Sequence, residues 1–122
     1  MTEIQPTILV DTREQTPLDI RSPFEVTGLP IGDYGVKGFS DWNNPAFIVE
    51  RKTLDDLVAS LTSGRERFMR EIEKMRQFKF AVIIVEAYES EILRWDYQSK
   101  ATPQSILQSL AAIQVRAGVH VI

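Results

Sequence analysis

The chain has 122 residues, 43% hydrophobic and 25% charged, which is enough for one domain with a proper core and ordinary for a globular protein. It has no cysteine and a single histidine, His120, which excludes disulfides, thiolate metal centres and histidine-rich zinc sites. The formal net charge of −3 argues against coating nucleic acid by bulk electrostatics, but it leaves room for a metal site built from carboxylates. A metal held by oxygen alone suits Mg²⁺ or Mn²⁺. There is no apolar run of about 18 residues to span a membrane. Met1 to Pro6 lacks the basic and apolar regions of a leader. An intracellular protein fits both readings.

In chain order, Thr7 to Asp11 is a short β-branched run, a buried strand. Arg13 to Pro23 is polar with two prolines, a loop. Phe24 to Leu29 reads as a second strand, Pro30 to Asp33 as a turn, and Tyr34 to Phe39 as a third strand. Ser40 to Pro45 has hairpin-loop chemistry, and Ala46 to Lys52 is the next strand. Thr53 with Asp56 makes a capping-box pattern before Leu54, Leu57, Val58 and Leu61 at helical spacing. Ser63 with Glu66 repeats that signal before Phe68, Ile72 and Met75. Lys79 to Val85 is a central-type strand. Glu86 to Lys100 is irregular, with one helical turn around Ile92. Thr102 caps a helix with Pro103 in its first position, and Gly118 suits its end. Val119 to Ile122 begins a last strand. The chain stops there, which suggests either a small domain closed by that strand or a piece of a longer protein.

The chemistry gathers near strand ends, at Asp11, Asp33, Glu50, Lys52 and Asp56. Residues two apart on a strand point the same way, so Glu50 and Lys52 share a face and Arg51 takes the other. Three charges ending an apolar strand cost desolvation unless something partners them. A divalent cation shared by Glu50 and Asp33 is one partner. It would polarise a phosphoryl oxygen and activate water, with Lys52 orienting the water or balancing charge. Taken alone, the triplet serves equally well as a solvated strand end.

The surroundings add to this. Gly32-Asp33, a gap, then Glu50-Arg51-Lys52, three residues and Asp56 resembles the signature of the XPF-type nucleases. Val10-Asp11-Thr12-Arg13-Glu14, Gly32-Asp33-Tyr34, Ser60-Leu61 with Gly64-Arg65, and Ala111 to Val119 are similar to further family segments, in the same order. The resemblance thus covers nearly the whole chain. It implies an α/β restriction-endonuclease-like core, a mixed central sheet flanked by helices. It implies a Mg²⁺- or Mn²⁺-dependent endonuclease that hydrolyses DNA at branched, flap or junction sites, in a setting of repair or recombination. It makes Asp33 and Glu50 metal ligands, with Asp11 in or beside the shell, and Lys52 catalytic. Arg51 and Asp56 become supporting positions, and Arg13 and Arg65 phosphate contacts. Family members often carry a tandem helix-hairpin-helix domain. None is visible in residues 1–122, and the family's last helix would lie beyond Ile122. DNA grip would then come from a homodimer or a partner protein. The alternative of another class is a catalytically inactive scaffold that binds DNA or a partner nuclease.

Blander readings apply elsewhere. Arg13 can pair with Asp11 or Glu14, and Asp56 can serve only as the cap partner of Thr53. On the helix after Gly64, Glu66–Arg70 and Glu71–Lys74 fall at pairing distance, which predicts a solvated face. Trp42, in a polar hairpin tip, is a candidate DNA or partner contact. Trp95 reads as loop packing and His120 as structural.

Overall fold

The structure, a computed structural model, describes residues 5–122; most of the Met1 to Pro6 stretch read as lacking a leader lies outside them. The elements are β1 (Ile8–Asp11), β2 (Phe24–Thr27), β3 (Tyr34–Val36), β4 (Ser40–Asp41), β5 (Asn44–Pro45), β6 (Phe47–Thr53), α1 (Leu54–Leu61), α2 (Arg65–Met75), β7 (Phe80–Glu86), α3 (Glu89–Leu93), α4 (Pro103–Ala112) and β8 (His120–Val121). Six strands form one sheet in the order β2-β1-β3-β6-β7-β8, and β4 with β5 makes a separate hairpin. β3 runs antiparallel to both β1 and β6, while the other neighbours are parallel. The expected mixed sheet with flanking helices is what the chain forms.

Strand alternation divides β6 between two environments. Ile48 packs into the large core made by α1, α2, α4 and the Ala81–Ile83 face of β7. Val49 packs on the opposite face with Val10, Tyr34 and Val82, where Ile20 of the loop before β2 helps to cover them. Glu50 and Lys52 therefore face the helices, and Arg51 faces away. Ile48, Leu57 and Ile83 are wholly buried. Truncating such a side chain costs about 2–5 kcal/mol, so the sheet that carries the site is held from beneath.

Local chemistry sets the element ends. Thr53 accepts a hydrogen bond from Asp56 N at 3.2 Å, so β6 turns directly into α1. Thr102 caps α4 in the same way through Ser105 N, behind Pro103. Other boundaries differ from the sequence reading. β3 stops at Val36, whose N–H donates to Ser40 Oγ rather than to a longer ladder. α2 has no side-chain cap: Gly64 occupies that position instead of Ser63, and its own N–H donates to Ala59 O. The chain after Ala112 continues as a π-helical turn, Ile113–Ala117, before Gly118 ends it at φ 67°.

Candidate active site

The end of β1, the turn before β3 and the middle of β6 meet at one place. Asp11 N donates to Asp33 O at 2.9 Å, and Asp33 N donates to Val49 O at 2.8 Å. Asp33 is delivered by a turn that only glycine fits. Gly32 has φ 79°, and a Cβ there would lie 2.8 Å from Ile48 Cγ1 and 3.0 Å from Val49 O. The Asp33 carboxylate is then fixed by the next strand, accepting from Arg51 N at 2.8 Å.

Glu50 lies beside it. Burial, and then the Asp33 carboxylate, push the Glu50 carboxyl up from its ordinary 4.5 to about 9, with Glu71 adding to the effect and Lys52 opposing it. Hydrogen bonding between the two carboxyls contributes to that rise. Arg13, Gly32, Asp33, Glu50, Lys52, Glu71 and Lys74 line a cleft of about 270 Å³. A second groove of about 310 Å³ shares Lys52 and Glu71 with it and runs past Asp56, Ser60, Ser63, Gly64 and Arg67. Lys52 Nζ sits 5.2 Å from the centre of the Phe68 ring, a cation–π distance, where the residue lines both cavities.

The other expected residues divide. Asp11 is 1% exposed, and both its oxygens are engaged. Oδ1 accepts from Leu29 N at 2.9 Å, and Oδ2 accepts from Arg13 N at 3.1 Å and Arg13 Nε at 2.6 Å. Burial alone would raise its pKa, but the Arg13 and Leu29 donors outweigh it and hold the carboxyl below its usual range. Asp11 does not converge with Asp33 and Glu50: among the described residues no three His, Cys, Asp or Glu side chains form a metal-holding group. Arg13, tied to Asp11, stands at the cleft rim. Arg51 is locked on the far face by Glu14 at 3.1 Å, by Glu86 and by the Thr16 carbonyl, so it supports rather than contacts a ligand. Thr53 caps α1 by accepting from the Asp56 backbone N–H, and Asp56 lines the second groove. Arg65 lies outside both grooves: it donates to Leu61 O at 3.2 Å and Ser109 Oγ at 3.3 Å, bracing α2 against α1 and α4.

Three residues were missed: Arg67, Glu71 and Lys74. Neither pair predicted for that helix, Glu66–Arg70 or Glu71–Lys74, forms an ion pair among the described residues, where Arg76–Glu73 does. The signal was there, since 67, 71 and 74 flank the 68, 72 and 75 stripe at helical spacing. The opposite flank, 65, 69, 73 and 76, has the same spacing, and sequence cannot say which flank faces the site. The aromatic side chains are placed by packing and hydrogen bonds, and Trp42 keeps about half of its surface exposed. Tyr34 is buried and donates to Glu14 at 2.7 Å. Trp42 packs on Phe78 at 5.2 Å, Trp95 donates to Ser99 O, and His120 stacks on Phe80 at 4.6 Å.

A mixed sheet with this helical layer defines the restriction-endonuclease-like class. The chain belongs to the ERCC4-domain family, whose profile matches residues 10–122. Its fold is similar to that of XPF from Aeropyrum pernix, with 27% identity and a TM-score of 0.74, over 96% of this chain and 52% of that one. A second structure, XPF from Aeropyrum pernix in complex with DNA, is similar at 27% identity and a TM-score of 0.65, over 97% of this chain and 56% of that one. The chain thus spans about half the length of these neighbours. Among curated protein sequences, none matches. No helix among the described residues is long and apolar enough to cross a membrane.

Proposed function

We propose that the chain is the nuclease module of a metal-dependent DNA endonuclease, with branched, flap or junction DNA as substrate. The observation that carries this reading is the Asp33–Glu50 pair. Two carboxylates are held side by side, partly buried, with one forced out of its ordinary ionisation range, and no cation of the protein pairs with either among the described residues. Such a pair is a poor structural feature and a good binding site. The donors are hard oxygens, with no thiol or imidazole nearby, and fit Mg²⁺ or Mn²⁺, which take few protein carboxylates and complete their shell with water and phosphate oxygen.

Asp33 and Glu50 would hold the cation, which when bound supplies Lewis-acid stabilisation of phosphoryl charge. Lys52, on the same face of β6 as Glu50, directs a positive charge at the attacked phosphate and orients the water. Arg13 at the rim contacts the incoming phosphate. Asp11 supports the ligands by fixing Arg13 and the Leu29 backbone that leads into the Gly32 turn. Hydrolysis leaves a 5′-phosphate and a 3′-hydroxyl. The DNA complex known for the Aeropyrum pernix neighbour is consistent with a DNA substrate. A homodimer or partner protein would supply further DNA grip.

The test uses labelled flap, fork, junction and plain duplex DNA with Mg²⁺ or Mn²⁺. Cleavage by the unaltered chain is expected, with loss of at least about a thousandfold in Asp33→Ala and Glu50→Ala proteins that remain folded. Undiminished cleavage by those variants would overturn the assignment. Absence of both cleavage and Mn²⁺ binding by calorimetry would favour the inactive scaffold.

A further inference from the structure

We propose that the face of α2 bearing Arg67 and Lys74 is a track for the cut strand, binding the phosphates on either side of the one being hydrolysed. The inference rests on the nuclease reading and goes beyond it, because it assigns the strand a path that the signature residues do not define. Arg67, Glu71 and Lys74 stand at i, i+4 and i+7, on one face of the helix. The axial span from Arg67 to Lys74 is roughly 10 Å at 1.5 Å per residue. Lys74 lines the cleft that holds Asp33 and Glu50. Arg67 lines the adjoining groove. The two adjoin at Lys52 and Glu71, which line both, so a strand crossing from one to the other would pass Lys52 with Lys74 on one side and Arg67 on the other.

The charge pattern makes the path specific. Asp56 and Glu71 line the same grooves and repel phosphate, which confines attraction to Arg67, Lys52, Lys74 and the rim residue Arg13. A chain with net charge −3 cannot hold DNA by a diffuse basic surface and must rely on a few placed cations. Arg67 and Lys74 are exposed, and among the described residues neither is in an ion pair. The groove beyond Lys52 is floored by Ala59, Ser60, Ser63 and Gly64, small side chains that leave room for a sugar–phosphate backbone and offer two hydroxyls to it.

The experiment measures binding of the full chain to a labelled fork DNA in Ca²⁺, across a salt series, with cleavage in Mg²⁺ measured in parallel. Arg67→Ala and Lys74→Ala should each weaken binding about tenfold and lower the slope of log K against log salt by about 1. Arg67→Lys should keep the slope, which a merely structural role would not predict. Arg70→Ala, on the same helix outside both grooves, should change neither. A methylphosphonate beside the cleaved phosphate should reproduce the loss seen in one of the two variants and not add to it. Unchanged affinity and slope in both alanine variants, with cleavage retained by the unaltered chain, overturns the track alone. No binding or cleavage by the unaltered chain overturns the nuclease reading together with it.

Discussion

The two faces of β6 carry adjacent charges under opposite regimes. On one face Arg51 is saturated by Glu14, Glu86 and the Thr16 carbonyl, and Tyr34 anchors Glu14 in turn. On the other face Glu50 is crowded by Asp33 and lifted far from its ordinary ionisation, and Lys52 meets only a ring. Charges that serve the fold have had their partners supplied by the fold. On the proposed reading, charges that serve a ligand are left short of partners, and the ligand would complete them. One residue of sequence separates the two cases.

The comparison is tested hardest at Lys52. Lys52→Ala should lower the rate of DNA cleavage by about 10²–10³-fold, as expected for losing a charge aimed at a transition state. Its contact with Phe68 makes the stability cost under about 1 kcal/mol. Single-turnover cleavage with a parallel melt checks both, and an unaltered rate would take Lys52 out of the chemistry.

Arg51→Ala should do the reverse. It strands the half-buried Glu14 carboxylate, while Glu86 and the Thr16 carbonyl can turn to water, and urea unfolding should show a loss of about 1–2 kcal/mol. Arg51→Lys should not restore it, because an ammonium cannot replace a fork that reaches three acceptors. Asp11 belongs with Arg51 by the same criterion. Asp11→Ala leaves the buried Leu29 N–H without an acceptor and frees Arg13, for a loss of about 2–3 kcal/mol. Mn²⁺ affinity measured by calorimetry should stay within a few-fold. Lost affinity with unchanged stability would instead make Asp11 a ligand.

Most of this site was legible because strand geometry is local. Alternation along Phe47–Thr53 already divides Glu50 and Lys52 from Arg51, and Gly32 before Asp33 signals a turn that admits no side chain. Thr53 and Thr102 announced their helices through capping chemistry. What stayed hidden depends on distant packing. Whether the 67, 71 and 74 flank of α2 or the 65, 69, 73 and 76 flank meets β6 is decided by how Phe68, Ile72 and Met75 seat on the sheet. The Leu29 N–H that completes Asp11 comes from a loop 18 residues away, whereas its pairing with Arg13 was already readable two residues along. The π turn after Ala112 has no spacing signature of its own.

Glu50 gives the pH-dependent form of the comparison. Its carboxyl in the folded protein ionises at about 9, against an ordinary 4.5, so folding takes up a proton between those values. Stability of the metal-free protein should therefore fall as pH rises from 4.5 to 9, the opposite of a carboxylate held charged by a partner. Glu50→Gln should remove that slope. At pH 8 it should raise the melting temperature by about 3–6 °C, and near pH 4.5 by little. Mg²⁺ should stabilise the unaltered protein and leave the Gln variant unmoved. Equal melting temperatures at every pH would mean that Glu50 is not under strain.

The smallest effect separates two arginines two residues apart. Arg65 stands in a stretch that resembles the family pattern, yet its guanidinium is turned to Leu61 O and Ser109 Oγ, on the flank of α2 away from the cleft. Both bonds are long, and the residue is exposed. Arg65→Ala should cost no more than about 0.5–1 kcal/mol of stability and leave affinity for fork DNA within twofold. If Arg65→Ala instead weakens DNA binding as Arg67→Ala is expected to, the strand must cross α2 near its first turn rather than follow the 67–74 face. The rule drawn from β6, that a charge with partners in the fold is not waiting for a ligand, would then fail on α2.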